Sequence, residues 1–134
     1  MIKEEMLVAM QGVIPSSIVT CSKDGVPNST IISQVFYVNE HEVALSFQFF
    51  NKTIRNVREN PKASLQIISP ENFDAWDLEI EYNRSEREGD IFDQMDMQLE
   101  AIASMTGMSD VFKLEAADIY KVKSVRKHSL ISSN

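Results

Sequence analysis

The feature that most constrains this chain is how often its extended stretches are interrupted. Lys23-Asp24-Gly25, Asn39-Glu40-His41-Glu42, Asn60-Pro61 and the polar runs at 70–74 and 83–89 punctuate the sequence. Gly25 supplies the positive φ that a tight hairpin turn needs. Pro61 disfavours helical geometry in the residue before it and so stops a helix there. Between these breaks lie short runs rich in β-branched and aromatic residues. They predict strands at 17–22, 29–38, 43–49, 63–69 and 76–82, and closing strands at 111–114 and 119–125. Residues 76–82 alternate cleanly, with Trp76, Leu78, Ile80 and Tyr82 against Asp77, Glu79 and Glu81, the pattern of a half-buried strand. Ala63, Leu65 and Ile67 likewise oppose Ser64, Gln66 and Ile68. Links this short join antiparallel neighbours, because a parallel crossover needs a dozen residues or more. The expectation is a mainly β protein with flanking α-helices, its largely antiparallel sheet closed into a small barrel.

Three helices are expected around that sheet. Residues 2–11 place Ile2, Met6 and Met10 on one face. Residues 52–59 form a short basic helix. Residues 90–106 place Ile91, Met95, Leu99, Ile102 and Met105 on one side, with Gly107 as the stop. A chain of 134 residues is long enough for one domain with a sizeable core. That domain is expected over 1–126, with 127–134 as a flexible tail.

Charge and composition exclude several classes. The formal net charge is −7, which argues against nucleic acid as a partner, since duplex affinity needs a broad basic surface. Ten of the 20 acidic residues fall between 71 and 96 and read as a solvated face. The one cysteine, Cys21, excludes an internal disulfide framework. No apolar run approaches a membrane span, and the charged start, with Lys3, Glu4 and Glu5, is unlike a signal peptide. A cytoplasmic location away from membranes is expected. No His/Cys cluster has metal-ligand spacing, and four glycines give neither a dinucleotide fingerprint nor a P-loop.

Against this acidic background, residues 45–61, LSFQFFNKTIRNVRENP, stand out. An apolar, aromatic strand runs into a cationic helix start. Asn51 is suited to cap that helix. Lys52 and Thr53 fall in its first turn, and Arg55 and Arg58 continue the basic face. Free backbone N–H groups, the positive end of the helix dipole, an ammonium and a hydroxyl together make a seat for a phosphate.

The ordered set TCSKDGVPNSTIISQVFYV and VALSFQFFNKTIRNVRENPKASLQI resembles the FMN-binding split barrel of pyridoxamine 5'-phosphate oxidase-like proteins. The likeness rests on the strand-turn-strand around residues 24–28, the Lys52-Thr53 pair with Asn56 behind it, and the Asn60-Pro61 stop before a strand. It covers about residues 12–69, with a looser match toward the C-terminus. The resemblance implies FMN as cofactor, with the isoalloxazine edge and ribityl chain along Ser29, Thr30, Ile31, Ile32, Ser33 and Gln34. It implies that Leu45 and Ser46 flank the cofactor, and that Lys52 and Thr53 hold its phosphate with Arg55 or Asn56 nearby. It further implies a homodimer with FMN at the interface, where Trp76 or Asp77 reaches the partner's flavin.

Residues 122–134 lack the basic and aromatic segment with which true pyridoxamine phosphate oxidases hold their substrate, so that particular reaction is not expected. Lys123, Arg126, Lys127 and His128 read as a solvated tail. The resemblance implies an oxidoreductase passing hydride or electrons between a donor such as NAD(P)H and a small organic molecule. The flavin carries that chemistry and no catalytic side chain is named. Its rivals are a non-enzymatic protein that stores or senses FMN, the same fold holding a deazaflavin or haem, and an empty barrel kept for assembly.

Overall fold

The structure, a computed structural model, describes residues 1–32, 34–46, 51–106 and 114–129; for Asn51, Lys52, Ile102, Ala103, Met105, Thr106 and Ser129 it describes the backbone alone. Seven strands make one sheet: β1 (Ser16–Cys21), β2 (Pro27–Ile32), β3 (Phe36–Asn39), β4 (Glu42–Leu45), β5 (Lys62–Ile68), β6 (Asp74–Glu86) and β7 (Ala117–Ser129). Their order across the sheet is β2-β1-β5-β6-β7-β4-β3, and every neighbouring pair is antiparallel. Among the described residues three helices flank it: α1 (Leu7–Met10), entered through a 3-10 turn at Glu4–Met6, α2 (Asn51–Glu59) and α3 (Asp90–Thr106).

The alternation in the sequence becomes two faces. Inward residues of β1, β5 and β6 (Ile18, Leu65, Ile67, Leu78 and Ile80) are almost wholly buried with Leu45 and Tyr120. Ile2, Met6, Ala9 and Met10 from the N-terminal turns and Val57 from α2 close over this core. Burying one such aliphatic side chain contributes about 1.5–3 kcal/mol. A second, smaller core lies under α3, where Met95 meets Ala44, Ala117 and Ile119, with Ile91, Phe92 and Leu99 packed around them. The β4–β7 part of the sheet is therefore covered on both faces.

The β1–β2 turn shows how the local sequence fixes the hairpin. The Ser22 hydroxyl accepts from the backbone N–H of Asp24 at 3.3 Å and of Val26 at 3.1 Å. Gly25 takes φ +82°, in the left-handed region where a side chain is strained. The hairpin then brings Thr20 opposite Asn28 and Ile18 opposite Thr30.

Four expectations need correction. The strand expected over 29–38 is two strands, because β2 and β3 belong to opposite ends of the sheet; between them the N–H of Val35 bonds to the carbonyl of Met10 at 3.0 Å instead of to a strand. The loop expected over 83–89 begins only after Glu86, since β6 continues its ladder with β7 through Arg84, Ser85 and Glu86. β7 extends to Ser129, so Lys127 and His128 lie opposite Trp76 and Ala75 and not in a frayed end. The helix expected over 2–11 is a 3-10 turn followed by one α-helical turn, although Ile2, Met6 and Met10 face the core as its spacing required. The end of the strand expected over 43–49 and most of that over 111–114 lie outside the described residues, and β4 ends at Leu45.

A Cβ at Gly25 would meet nothing within 4 Å, so the cost of Gly25→Ala is backbone strain alone. Denaturant unfolding is expected to show a loss of about 1 kcal/mol.

Candidate functional site

α2 is held against the sheet by polar bonds as well as by apolar contact. Thr53, 1% exposed, and Asn56, 3% exposed, lie one turn apart on its sheet-facing side. Asn28 Nδ2 on β2 donates to Thr53 Oγ1 at 3.2 Å. Asn56 Nδ2 donates to Thr20 Oγ1 on β1 at the same distance. Arg55 and Arg58 project from the exposed side. The helix start thus sits on a fixed base, with cations on the face turned away from it.

A second polar group lies further along the same inner face of the sheet. Asp118 stands opposite Leu45 on one side and Ser85 on the other. Ser85 Oγ donates to Asp118 Oδ1 at 2.6 Å, and the Tyr82 hydroxyl bonds to Ser85 in turn. Burial pushes the Asp118 carboxyl above the usual aspartate range, although Ser85, Arg58 and Arg87 pull the other way. Burial, with the Asp118 and Tyr82 charges, also raises the Tyr120 phenol, which stays protonated throughout the neutral range.

The outer face of β6 and β7 is an ion-pair ladder. Arg126 Nη2 meets Asp77 Oδ2 at 2.6 Å, His128 Nε2 lies 3.4 Å from the same oxygen, and Gln66 Nε2 donates to Asp77 Oδ1 at 3.1 Å. Lys123 pairs with Glu81 on this face, whereas Lys127, opposite Trp76, pairs with Asp74 and Glu5 on the other. Burial alone would raise the Asp77 carboxyl, but these donors draw it below the usual range. Three of the ten acids expected as a solvated face, Asp74, Asp77 and Glu81, are answered by bases expected in a tail, while Glu71, Glu79, Glu88, Asp90 and Asp93 are exposed. Glu42 on β4 is also lowered, by Asn39 and by Arg84, whose guanidinium reaches Glu42 and Glu86, each at 2.9 Å.

The residues singled out in the sequence divide among these surroundings. Thr30 and Ile32 share the inward face of β2 with Asn28, whereas Ser29 and Ile31 are exposed on its outer face. Gln34 Nε2 donates to Gln98 Oε1 of α3 at 2.9 Å. Leu45 is a core residue at the end of β4, and Ser46 follows it half-buried. Thr53 and Asn56 share the sheet-facing side of α2, and Arg55 lies on its exposed side. Lys52 lies in the first turn of that helix by its backbone, its side chain outside the described set, as is Ser33. Trp76 stands apart, 3% exposed in the barrel core with Lys127 Nζ 5.6 Å from its ring centre. Thr20 is in register with Ala63 and Ala63 with Ile80, so Trp76 lies four residues, roughly 13 Å, along β6 from that row.

Sequence reasoning did not assign Thr20, Asn28, Ser85 or Asp118 to a site. A signal was present for the first two: polar residues that share an inward strand face with an apolar one, Thr20 with Ile18 and Asn28 with Ile32. Among the described residues no group of His, Cys, Asp and Glu is arranged to hold a metal ion, and no helix is long and apolar enough to cross a membrane.

An antiparallel seven-stranded sheet with a cationic helix seated across one end defines the split-barrel class of fold. The family model described as pyridoxamine 5'-phosphate oxidase matches residues 2–123, and the chain belongs to that family. Among solved structures, an FMN-binding protein of Syntrophomonas wolfei superposes with a TM-score of 0.75 at 18% identity, over 96% of this chain and 89% of that one. The haem storage protein HutZ of Vibrio cholerae superposes with a TM-score of 0.62 at 16% identity, over 92% of this chain and 89% of that one. A segment of 64 residues is 38% identical to an uncharacterized protein of Methanocaldococcus jannaschii, covering 46% of this chain. The match spans 42% of that curated relative's length.

The carboxylates give opposite signs of pH dependence. Asp118, raised in the folded state, makes stability fall as pH climbs from the unfolded aspartate value through the folded one. Asp118→Asn keeps an acceptor for Ser85 and removes the buried charge. Its melting temperature is expected to exceed that of the parent at pH 7, with the gap closing toward pH 4. Asp77 and Glu42, lowered in the folded state, contribute stability above their unfolded values that is lost as pH drops through the folded ones. Asp77→Asn is expected to flatten the acid side of a melting-temperature profile.

Proposed function

We propose that this protein is an FMN-binding flavoprotein, acting as an oxidoreductase on a small organic molecule as a homodimer. The observation that carries the reading is the base of α2. An acidic chain sets a helix that begins Asn51-Lys52-Thr53 against β1 and β2 and fixes it there with two hydrogen bonds, one buried and one part-buried. A dianionic phosphate is the ligand such a start suits, since orphan N–H groups and the helix dipole favour negative charge.

In this reading Lys52 and the first-turn N–H groups of α2 hold the phosphate, Arg55 adds positive field, and Thr53 and Asn56 keep the turn in place. Thr30 and Ile32 on β2 and Leu45 on β4 supply the wall against which a flat ring lies. FMN, when bound, supplies hydride or single-electron chemistry, and the protein supplies seat, orientation and polarity. Two or three charge-assisted bonds at about 1.5–3 kcal/mol each, with ring burial, support micromolar affinity after ordering costs. Family membership and the split-barrel fold support this cofactor class.

The absorption spectrum of the purified protein, before and after heat release of its ligand, tests the cofactor. A flavin spectrum with one FMN per chain is expected; a haem Soret band, or a colourless protein that refuses added FMN, overturns the assignment. Lys52→Ala is expected to weaken FMN binding at least about tenfold, equivalent to about 1.4 kcal/mol. Unchanged affinity in that titration removes Lys52 from the seat. Oxidation of NADH or NADPH by the FMN-loaded protein separates an enzyme from a storage or sensing protein.

A further inference from the structure

We propose that Asn28, on the second strand, is a positioning residue that sets the first turn of α2 and thereby the affinity for the phosphate end of a flavin nucleotide. The inference rests on the flavin reading above and adds a residue that touches no cofactor in that reading.

The argument begins from a cost. Thr20, Thr53 and Asn56, all buried, and Asn28, half-buried, bring four polar side chains together beneath a helix that otherwise rests on an apolar core. Buried amides and hydroxyls are unfavourable unless bonded, and apolar side chains of similar size would pack without that demand. What apolar packing lacks is direction. Contacts such as that of Val57 tolerate a small slide or roll, whereas a hydrogen bond weakens steeply with angle.

The two bonds run in opposite senses. A strand amide, Asn28, donates to a helix hydroxyl, and a helix amide, Asn56, donates to a strand hydroxyl. Thr20 and Asn28 are directly opposite across β1 and β2, and Thr53 and Asn56 are one helical turn apart, so the four groups form a closed square. Sliding the helix by one residue, or rolling it, breaks both attachments. The Asn28 corner is the one nearer the cationic start, since Thr53 is the third residue of α2. It also settles the hydroxyl's role: with Asn28 donating to its oxygen, Thr53 has its own proton left to donate.

Titration of FMN and riboflavin in parallel tests this. Riboflavin shares the ring and ribityl chain and lacks the phosphate, so a loss of general fold integrity lowers both affinities together. Asn28→Ala is expected to weaken FMN about fivefold to tenfold while changing riboflavin less than about twofold. Asn28→Asp, which takes the Thr53 proton and places a negative charge beside the seat, is expected to weaken FMN more than Asn28→Ala and again to spare riboflavin. If Asn28→Ala does not fold, Asn28→Asp and Asn28→Ser, whose hydroxyl is too short to reach Thr53, carry the same comparison. Equal losses for both flavins, or no loss for either, overturn the inference alone. A parent protein that binds neither flavin overturns the cofactor reading and this inference with it.

Discussion

The ladder between β6 and β7 is the constraint on which the remaining structure depends. It runs from Asp74 opposite Ser129 to Glu86 opposite Ala117, with two irregularities where the register shifts. Each strand then lends its other edge to a different half of the sheet. β6 carries β5 and, through it, β1 and β2; β7 carries β4 and β3. Because side chains alternate across a strand, the shift between Tyr82 and Arg84 resets which residues face inward. After it, Arg84 stands in the row of Ile119 and Ala44, and Ser85 in the row of Asp118 and Leu45. The polar string at Asp118 and the ion pair from Arg84 to Glu42 both follow from that one irregularity.

The sheet was legible because its inward positions are apolar at period two. Ala63, Leu65 and Ile67 and the alternation of Trp76 through Tyr82 each assigned a strand and a buried face. What was illegible follows from competition between local and distant partners. Asn83, Arg84 and Ser85 are polar and read as a loop, yet β7 pairs with them and Arg84 finds two carboxylates. Lys123, Arg126 and Lys127 read as a solvated end because the acids that hold them, Glu81, Asp77 and Asp74, are more than forty residues away in sequence. Both misreadings share a cause: polar and charged residues in a strand look like loop composition until their cross-strand partners are known. Between β2 and β3 the sequence reads Ser33-Gln34-Val35, with no glycine or proline to mark a break.

The order of Lys52, Thr53 and Arg55 at a helix start is what suggests an anion seat; the polar bonds beneath that helix had no such mark in the sequence. Thr53 and Asn56 prove to be buried beneath that helix, bonded to the sheet. The six-residue run from Ser29 to Gln34, taken together in sequence, is divided by the pleat, so that Thr30 and Ile32 face one way and Ser29 and Ile31 the other. A stretch implied as a unit by family likeness thus offers a cofactor one set of side chains on a given face.

The separation of β2 from β3 has a consequence for how this sheet is protected from its own kind. The strands at the two ends of the sheet are β2 and β3, and the chain passes from Ile32 to Phe36 between them. Outermost strands present unsatisfied main-chain groups that invite pairing with foreign chains. In most open sheets those two vulnerable margins are far apart and must be shielded independently. Here they are consecutive in the chain and only three residues apart in sequence, so the end of one margin is held close to the start of the other.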